Sequence, residues 1–155
     1  MEMRSGAAQR AARGFTLVEL LVTITIVGIL ASIAVPAYQS QIRKSRRTDA
    51  RTALLDLAAK EERFLAVQNV YTNAAASLGY AGFPQLVNSG YYQIAAPVVG
   101  AGTLTAAPTF SITATPVAGA GQDLDAACAS FTVDSTGKQS SKDSGNVDST
   151  ATCWK

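Results

Sequence analysis

Few side chains in this sequence could do chemistry, and their types narrow what it could be. The chain has no histidine, so the usual general base and the commonest metal ligand are missing. Two cysteines, Cys128 and Cys153, could act as nucleophiles or bond to each other. Asp123, Asp125, Asp143 and Asp148 stand in loop-like sequence but lack the dense spacing of a calcium loop. Gly100, Gly102, Gly119 and Gly121 lie in alanine-rich stretches, without the lysine or helix start that a phosphate cradle requires. The reading is therefore of a non-enzyme, with no metal and no cofactor expected.

The carboxylate that needs a reason is Glu19. It stands near the start of an apolar run that lasts to about Tyr38, with no other charge before Arg43. Wound as a helix, Leu20 to Tyr38 rises about 28 Å, enough to cross a bilayer core. A carboxylate at the edge of such a run is expensive unless it finds a partner. Arg4, Arg10 and Arg13 precede the run and would hold that end in the cytoplasm during insertion. An ordinary secretory signal, cut after the small-x-small triplet Ser32-Ile33-Ala34, is one competing reading, and an uncut anchor is another. The charge of Glu19 and the length of the run stand against the signal.

Gly14-Phe15-Thr16-Leu17-Val18-Glu19-Leu20 resembles the prepilin processing motif of type IV pilins. The resemblance implies a basic leader, residues 1–14, cut by prepilin peptidase between Gly14 and Phe15. It also implies N-methylation of Phe15, and it makes Glu19 the carboxylate that aligns each subunit with its neighbour. Gly28, Pro36 and Tyr38 fit the same pattern. Glycine lacks side-chain constraint and proline removes a backbone bond, so the stretch between Gly28 and Pro36 could kink. By the resemblance it could lose helical order inside a filament. A looser likeness, to the PilE-like minor pilins, rests on Tyr91-Tyr92, Ala114-Thr115-Pro116, Gln122, Asp125, Cys128 and Cys153-Trp154.

The elements that would position these residues follow from periodicity. Residues 15–38 form the membrane or filament-core helix and residues 39–67 continue it as an amphipathic helix. Ile42, Ala50, Ala53, Leu54, Leu57, Ala58, Phe64 and Leu65 recur at three- and four-residue intervals. One helix from Phe15 to about Val67 would be roughly 80 Å long. Asp56 and Lys60 form a pair four apart on its outer side, worth a few tenths of a kcal/mol. Residues 68–155 form the head. Gln68 to Val87 reads as a loop, pinned by Tyr71, Leu78, Tyr80 and Phe83, and Pro97 to Pro108 as another.

Strands are expected at Tyr91–Ala95, Phe110–Ala114 and Ala129–Asp134, with a short return strand near Lys138–Ser141 after the turn Asp134-Ser135-Thr136-Gly137. The fold class is α+β: a long N-terminal helix packed on a three- or four-stranded antiparallel sheet. Cys128 and Cys153 lie in the exported part. An even pair in an oxidising compartment reads as a disulfide, the alternative being two free thiols.

The net charge of +2 is small, but its distribution is uneven. Arg43, Lys44, Arg46 and Arg47 form a basic cluster just past the apolar run, read as a solvated face that could touch lipid head groups or acidic residues of an adjacent subunit. Nucleic acid ranks last among its partners, because no aromatic residues interleave the cluster. The function implied is a structural subunit of a type IV pilus, minor rather than major, in a retractable filament for motility, adhesion or DNA uptake. Its partners would be other pilin subunits, prepilin peptidase, the inner-membrane assembly platform and, before assembly, membrane lipid. Its place would be the bacterial inner membrane, with the head in the periplasm, and then the extracellular pilus. The alternatives are a pseudopilin of a type II secretion system and a tip pilin that binds DNA or a surface.

Overall fold

The computed structural model describes residues 15–155. Gly14, and with it the leader and the cleavage point, lies outside them. The chain divides into two compact units, Met1–Gln39 and Ser40–Lys155.

Helix α1, Leu17–Gln68, contributes to both units. Within the first unit its side chains are exposed and overwhelmingly apolar. An 18-residue window has a mean hydropathy of 2.4 with none of it buried, so α1 is long and apolar enough to cross a membrane. The hydroxyls in this stretch are satisfied locally. Thr23 donates to Leu20 O (2.7 Å), Thr25 to Leu21 O (2.8 Å) and Ser32 to Ile29 O (2.7 Å), so none needs an outside acceptor. Pro36 sits inside the helix, which runs on through it and through Gly28.

In the second unit α1 buries Ala50, Leu54, Leu57 and Glu61, one stripe at helical spacing. Ala53, Ala58 and Phe64 flank it, partly buried. The stripe packs with Tyr92, Ile94, Phe110, Ile112, Ala114, Phe131 and Val133 in one core. Those partners alternate along their strands, so each strand turns one face to the core. The strands are β1 (Gln85–Leu86), β2 (Tyr92–Ile94), β3 (Val98–Gly100), β4 (Thr109–Pro116), β5 (Ser130–Asp134) and β6 (Gln139–Lys142). Every pairing is antiparallel, in the order β1-β2-β4-β5-β6, with β3 also on β4.

The sheet has six strands where the sequence suggests three or four. The additions, β1 and β3, lie inside the stretches expected to be loops. A segment of two or three residues cannot display alternation, which is the signal a strand gives. β2 and β3 run along the same edge of β4. Ala95 N donates to Thr113 O (3.0 Å), and Val98 is the partner of Ser111. The first strand thus takes one residue more than β4 over this interval, which makes a bulge. Pro97, with no N–H to offer a ladder, falls in it.

The β5–β6 turn forms as its sequence suggests. Asp134 Oδ1 accepts from Thr136 N (2.9 Å) and Lys138 N (3.1 Å). Gly137 sits at φ 77°, a conformation glycine adopts without strain. The short helix α2, Thr150–Cys153, covers the outer edge of β6. Ser141 N donates to Thr150 Oγ1 (2.9 Å), Ser149 N to Ser141 O (2.9 Å) and Trp154 Nε1 to Ser140 O (2.8 Å). Cys128 and Cys153 are bonded, with Cα atoms 5.9 Å apart, and this ties α2 to the segment before β5.

Candidate functional site

Two places carry the residues that the sequence singles out. At the start of α1, Thr16 Oγ1 accepts from Glu19 N (3.2 Å), closing the first turn. Phe15 and Glu19 are exposed, and among the described residues no hydrogen bond or ion pair reaches the Glu19 carboxylate. A negative side chain in a first helical turn is favoured by the helix dipole. That local benefit does not replace a partner once water is excluded. The surface around Glu19 is thus an uncovered apolar face with one carboxylate in it.

The second place is the basic flank of α1 in the head, and here the structure corrects the expectation of a solvated face. Arg47 is fixed by Asp125 through two hydrogen bonds of 2.7 Å, Nε to Oδ2 and Nη2 to Oδ1. Hydrogen bonding to Asp125 raises the Arg47 pKa above its ordinary value, against the effect of burial. Gln122, fully buried, donates from Nε2 to Asp125 Oδ2 and to the Tyr92 hydroxyl, both 3.0 Å. Burial pushes the Tyr92 hydroxyl up to about 12, so it stays protonated. Arg51 donates to the carbonyls of Cys153 (3.4 Å) and Lys155 (2.5 Å). Arg46 lies over the Tyr91 ring, 3.4 Å from its centroid, a cation–π arrangement. Lys44 remains exposed, as the sequence suggests. A cavity of about 300 Å³ opens on this flank, lined by Lys44, Arg47, Arg51, Thr152, Cys153 and Lys155.

The sequence names Arg47 in the basic cluster and Gln122 and Asp125 in the looser minor-pilin likeness, but does not bring the three together. Arg47 stands seven residues before Leu54, at the edge of the buried stripe, and that spacing is the signal that could have found it. No local pattern pairs Asp125 with Arg47, 78 residues away in the chain, or Gln122 with Tyr92, 30 residues away. Glu61 is missed for the opposite reason: it falls on the stripe, four residues after Leu57, yet reads as a surface charge beside Glu62. It is fully buried. Its Oε2 accepts from Thr72 N (3.1 Å), and Oε1 has no partner. Burial raises the Glu61 pKa, opposed by the Thr72 bond and reinforced by Glu62.

With this geometry in view, comparison with known families decides the identity. Residues 36–132 match the family described as "Type IV minor pilin ComP, DNA uptake sequence receptor". Residues 9–35 match the "Prokaryotic N-terminal methylation motif". The chain belongs to this type IV minor pilin family. The long helix, the antiparallel sheet across it and the Cys128–Cys153 disulfide are those of a type IV pilin.

Individual pilins match over part of the chain. The "Type IV major pilin protein PilA" of Myxococcus xanthus is 34% identical over 84 residues, 54% of this chain and 37% of that protein. "Fimbrial protein Q" of Moraxella bovis is 60% identical over 38 residues, 24% of each chain. The "Type IV major fimbrial protein FimA" of Dichelobacter nodosus is 41% identical over 64 residues, 34% of this chain and 40% of that protein. The matched parts thus span well under half the length of these relatives. The minor pilin family is one of structural proteins rather than enzymes.

Proposed function

We propose that this chain is a minor subunit of a type IV pilus that takes part in DNA uptake. The observation that carries the reading is the match of residues 36–132, which take in the amphipathic half of α1 and strands β1 to β4, to a family of minor pilins described as DNA uptake sequence receptors. In this reading the precursor spans the inner membrane with its leader in the cytoplasm and its head in the periplasm. Prepilin peptidase cuts between Gly14 and Phe15 and Phe15 is methylated. The assembly platform then draws the subunit into the filament.

The physics of assembly follows from α1. Its exposed apolar side chains leave lipid for contact with other helices, where burial is worth about 25 cal/mol per Å². Glu19 finds the amine of a neighbouring Phe15, and a misplaced subunit leaves that charge buried and unpaired, which is penalised. The stretch from Gly28 to Pro36 is where the helix is weakest and where it would lose order on packing.

Contact with DNA belongs to the head. In chain order no aromatic residue stands among Arg43, Lys44, Arg46 and Arg47. The fold supplies one, bringing Tyr91 under Arg46. Cationic groups beside an aromatic ring suit phosphate contact and base stacking. Deleting the gene tests both parts of the proposal: filaments should persist while uptake of DNA is lost. Loss of all filaments would mean a major subunit, and unchanged uptake would remove the DNA role.

A further inference from the structure

The cavity of about 300 Å³ on the basic flank of α1 has two walls of different origin. One is helical: Lys44, Arg47 and Arg51 stand three and four residues apart, the spacing that puts side chains on one face. The other is Thr152, Cys153 and Lys155, far along the chain. The Cys128–Cys153 disulfide holds that second wall, and Arg51 donates to the carbonyls of Cys153 and Lys155. Four cationic side chains thus line one cavity. Asp125 answers Arg47 through Nε and Nη2, and main-chain oxygens answer Arg51. The ammonium groups of Lys44 and Lys155 have no ion-pair partner among the described residues. Like charges gathered round one cavity repel, and an anion between them reverses the sign of that interaction.

We propose that this cavity binds the phosphodiester of an anionic phospholipid head group in the periplasmic leaflet, before the subunit enters a filament. The inference rests on the membrane orientation given under the proposed function. Chain length brings the cavity within reach of the bilayer. Tyr38 ends the apolar run with the kind of ring favoured at a membrane interface. Lys44 is six residues further on, so its Cα lies within about 22 Å of Tyr38 whatever path the chain takes. Charge gives the second reason. In that orientation five basic residues, Arg43, Lys44, Arg46, Arg47 and Arg51, follow the run on the translocated side, against Arg4, Arg10 and Arg13 before it. A span is ordinarily oriented with its basic excess in the cytoplasm. Anionic head groups stabilise the cluster where it stands. Lys44 and Lys155 supply charge-assisted bonds to the phosphate, and Arg47 and Arg51 a fixed positive field beside it. None of the lining residues is aromatic, so the cavity offers a nucleic-acid base nothing to stack on. The bound lipid tethers the head to the bilayer at a point other than the spanning helix.

The test is amine acetylation of the full-length chain in nanodiscs of phosphatidylglycerol or of phosphatidylcholine, read lysine by lysine by mass spectrometry. Lys44, Lys138, Lys142 and Lys155 are all exposed, so each reacts unless something covers it. In phosphatidylglycerol, Lys44 and Lys155 should react several-fold more slowly than in phosphatidylcholine, and Lys138 and Lys142 at the same rate in both. Lys155→Gln should remove the protection of Lys44, because the two amines share one ligand, while Lys142→Gln should leave it in place. Protection of Lys44 without Lys155 would mean general attraction to a charged surface, and would overturn the proposal. So would equal rates in the two lipids. Protection of both lysines by duplex DNA, with none from phosphatidylglycerol, would make the cavity a nucleic-acid site and overturn it too. In each of these cases a chain that has inserted into the nanodiscs leaves the membrane reading standing. A chain that does not insert overturns both.

Discussion

Arg47 and Asp125 lie 78 residues apart in the chain and meet through two parallel hydrogen bonds, with only 12% and 5% of their side chains exposed. The pair locks the loop before Cys128 onto α1, and Gln122 and Tyr92 complete the network. Removing one partner of a buried pair leaves the other charge uncompensated, which costs about 3–5 kcal/mol. Arg47→Ala and Asp125→Ala should each destabilise the head by an amount in that range. Chemical unfolding followed by the fluorescence of Trp154 would measure it. A loss no larger than that of an exposed pair, such as Asp56 with Lys60, would contradict the structural role assigned here.

Glu61 gives a pH dependence with a definite sign. Its folded pKa is raised above that of the unfolded chain by burial. Folding therefore favours the protonated form. This stabilisation is fully present below the unfolded carboxylate range and is lost as pH rises through the folded value. Glu61→Gln keeps an acceptor for Thr72 N and carries no charge. The variant should gain on the wild type as pH is raised from the acid side toward neutrality. Parallel stability curves for the two proteins across that range would refute this.

The disulfide and the helix stripe supply two magnitudes. Replacing Cys128 and Cys153 together by serine opens a loop with a sequence separation of 25 residues. By loop entropy it should cost about 3 kcal/mol. A melting experiment under oxidising conditions, compared with the same protein reduced, checks it; identical melting would show that the bridge contributes nothing.

Leu54 and Leu55 are adjacent, about 100° apart around the helix: Leu54 is fully buried and Leu55 is 44% exposed. Leu54→Ala should destabilise by about 2–5 kcal/mol and Leu55→Ala by about 0.5 kcal/mol or less. Equal losses in the unfolding midpoint would mean that the helix packs on a different face.

These pairs of neighbours also show what the sequence can and cannot disclose. Leu54 and Leu57 are legible because burial repeats at the helical period, and Phe110 and Ile112 because it repeats at the strand period. Cys128 and Cys153 are legible because cysteines are few. β1 and β3 are too short to repeat anything. Arg47 reads as one of a cluster of solvated cations because the partner that buries it lies far along the chain. Glu61 reads as solvated because its immediate neighbour, Glu62, is. The sequence discloses repeats, and these residues owe their places to single contacts across the fold. The same limit applies to charge. No charged residue occurs between Arg63 and Asp123, yet strands β1 to β4 lie in that interval. Strands β1 to β4 therefore offer the basic cluster no ion pair, and only the fold shows that Asp125 holds Arg47 and that Tyr91 is what Arg46 lies against.

Everything proposed about assembly depends on where the precursor is cut. The mass of the chain recovered from sheared filaments, with fragmentation of its N-terminal peptide, settles this most directly. The expected mature chain begins at Phe15 and carries a methyl group on that nitrogen. A chain that begins at Val35, or that keeps Met1, would contradict both the pairing of Glu19 with a neighbouring amine and the filament built on it.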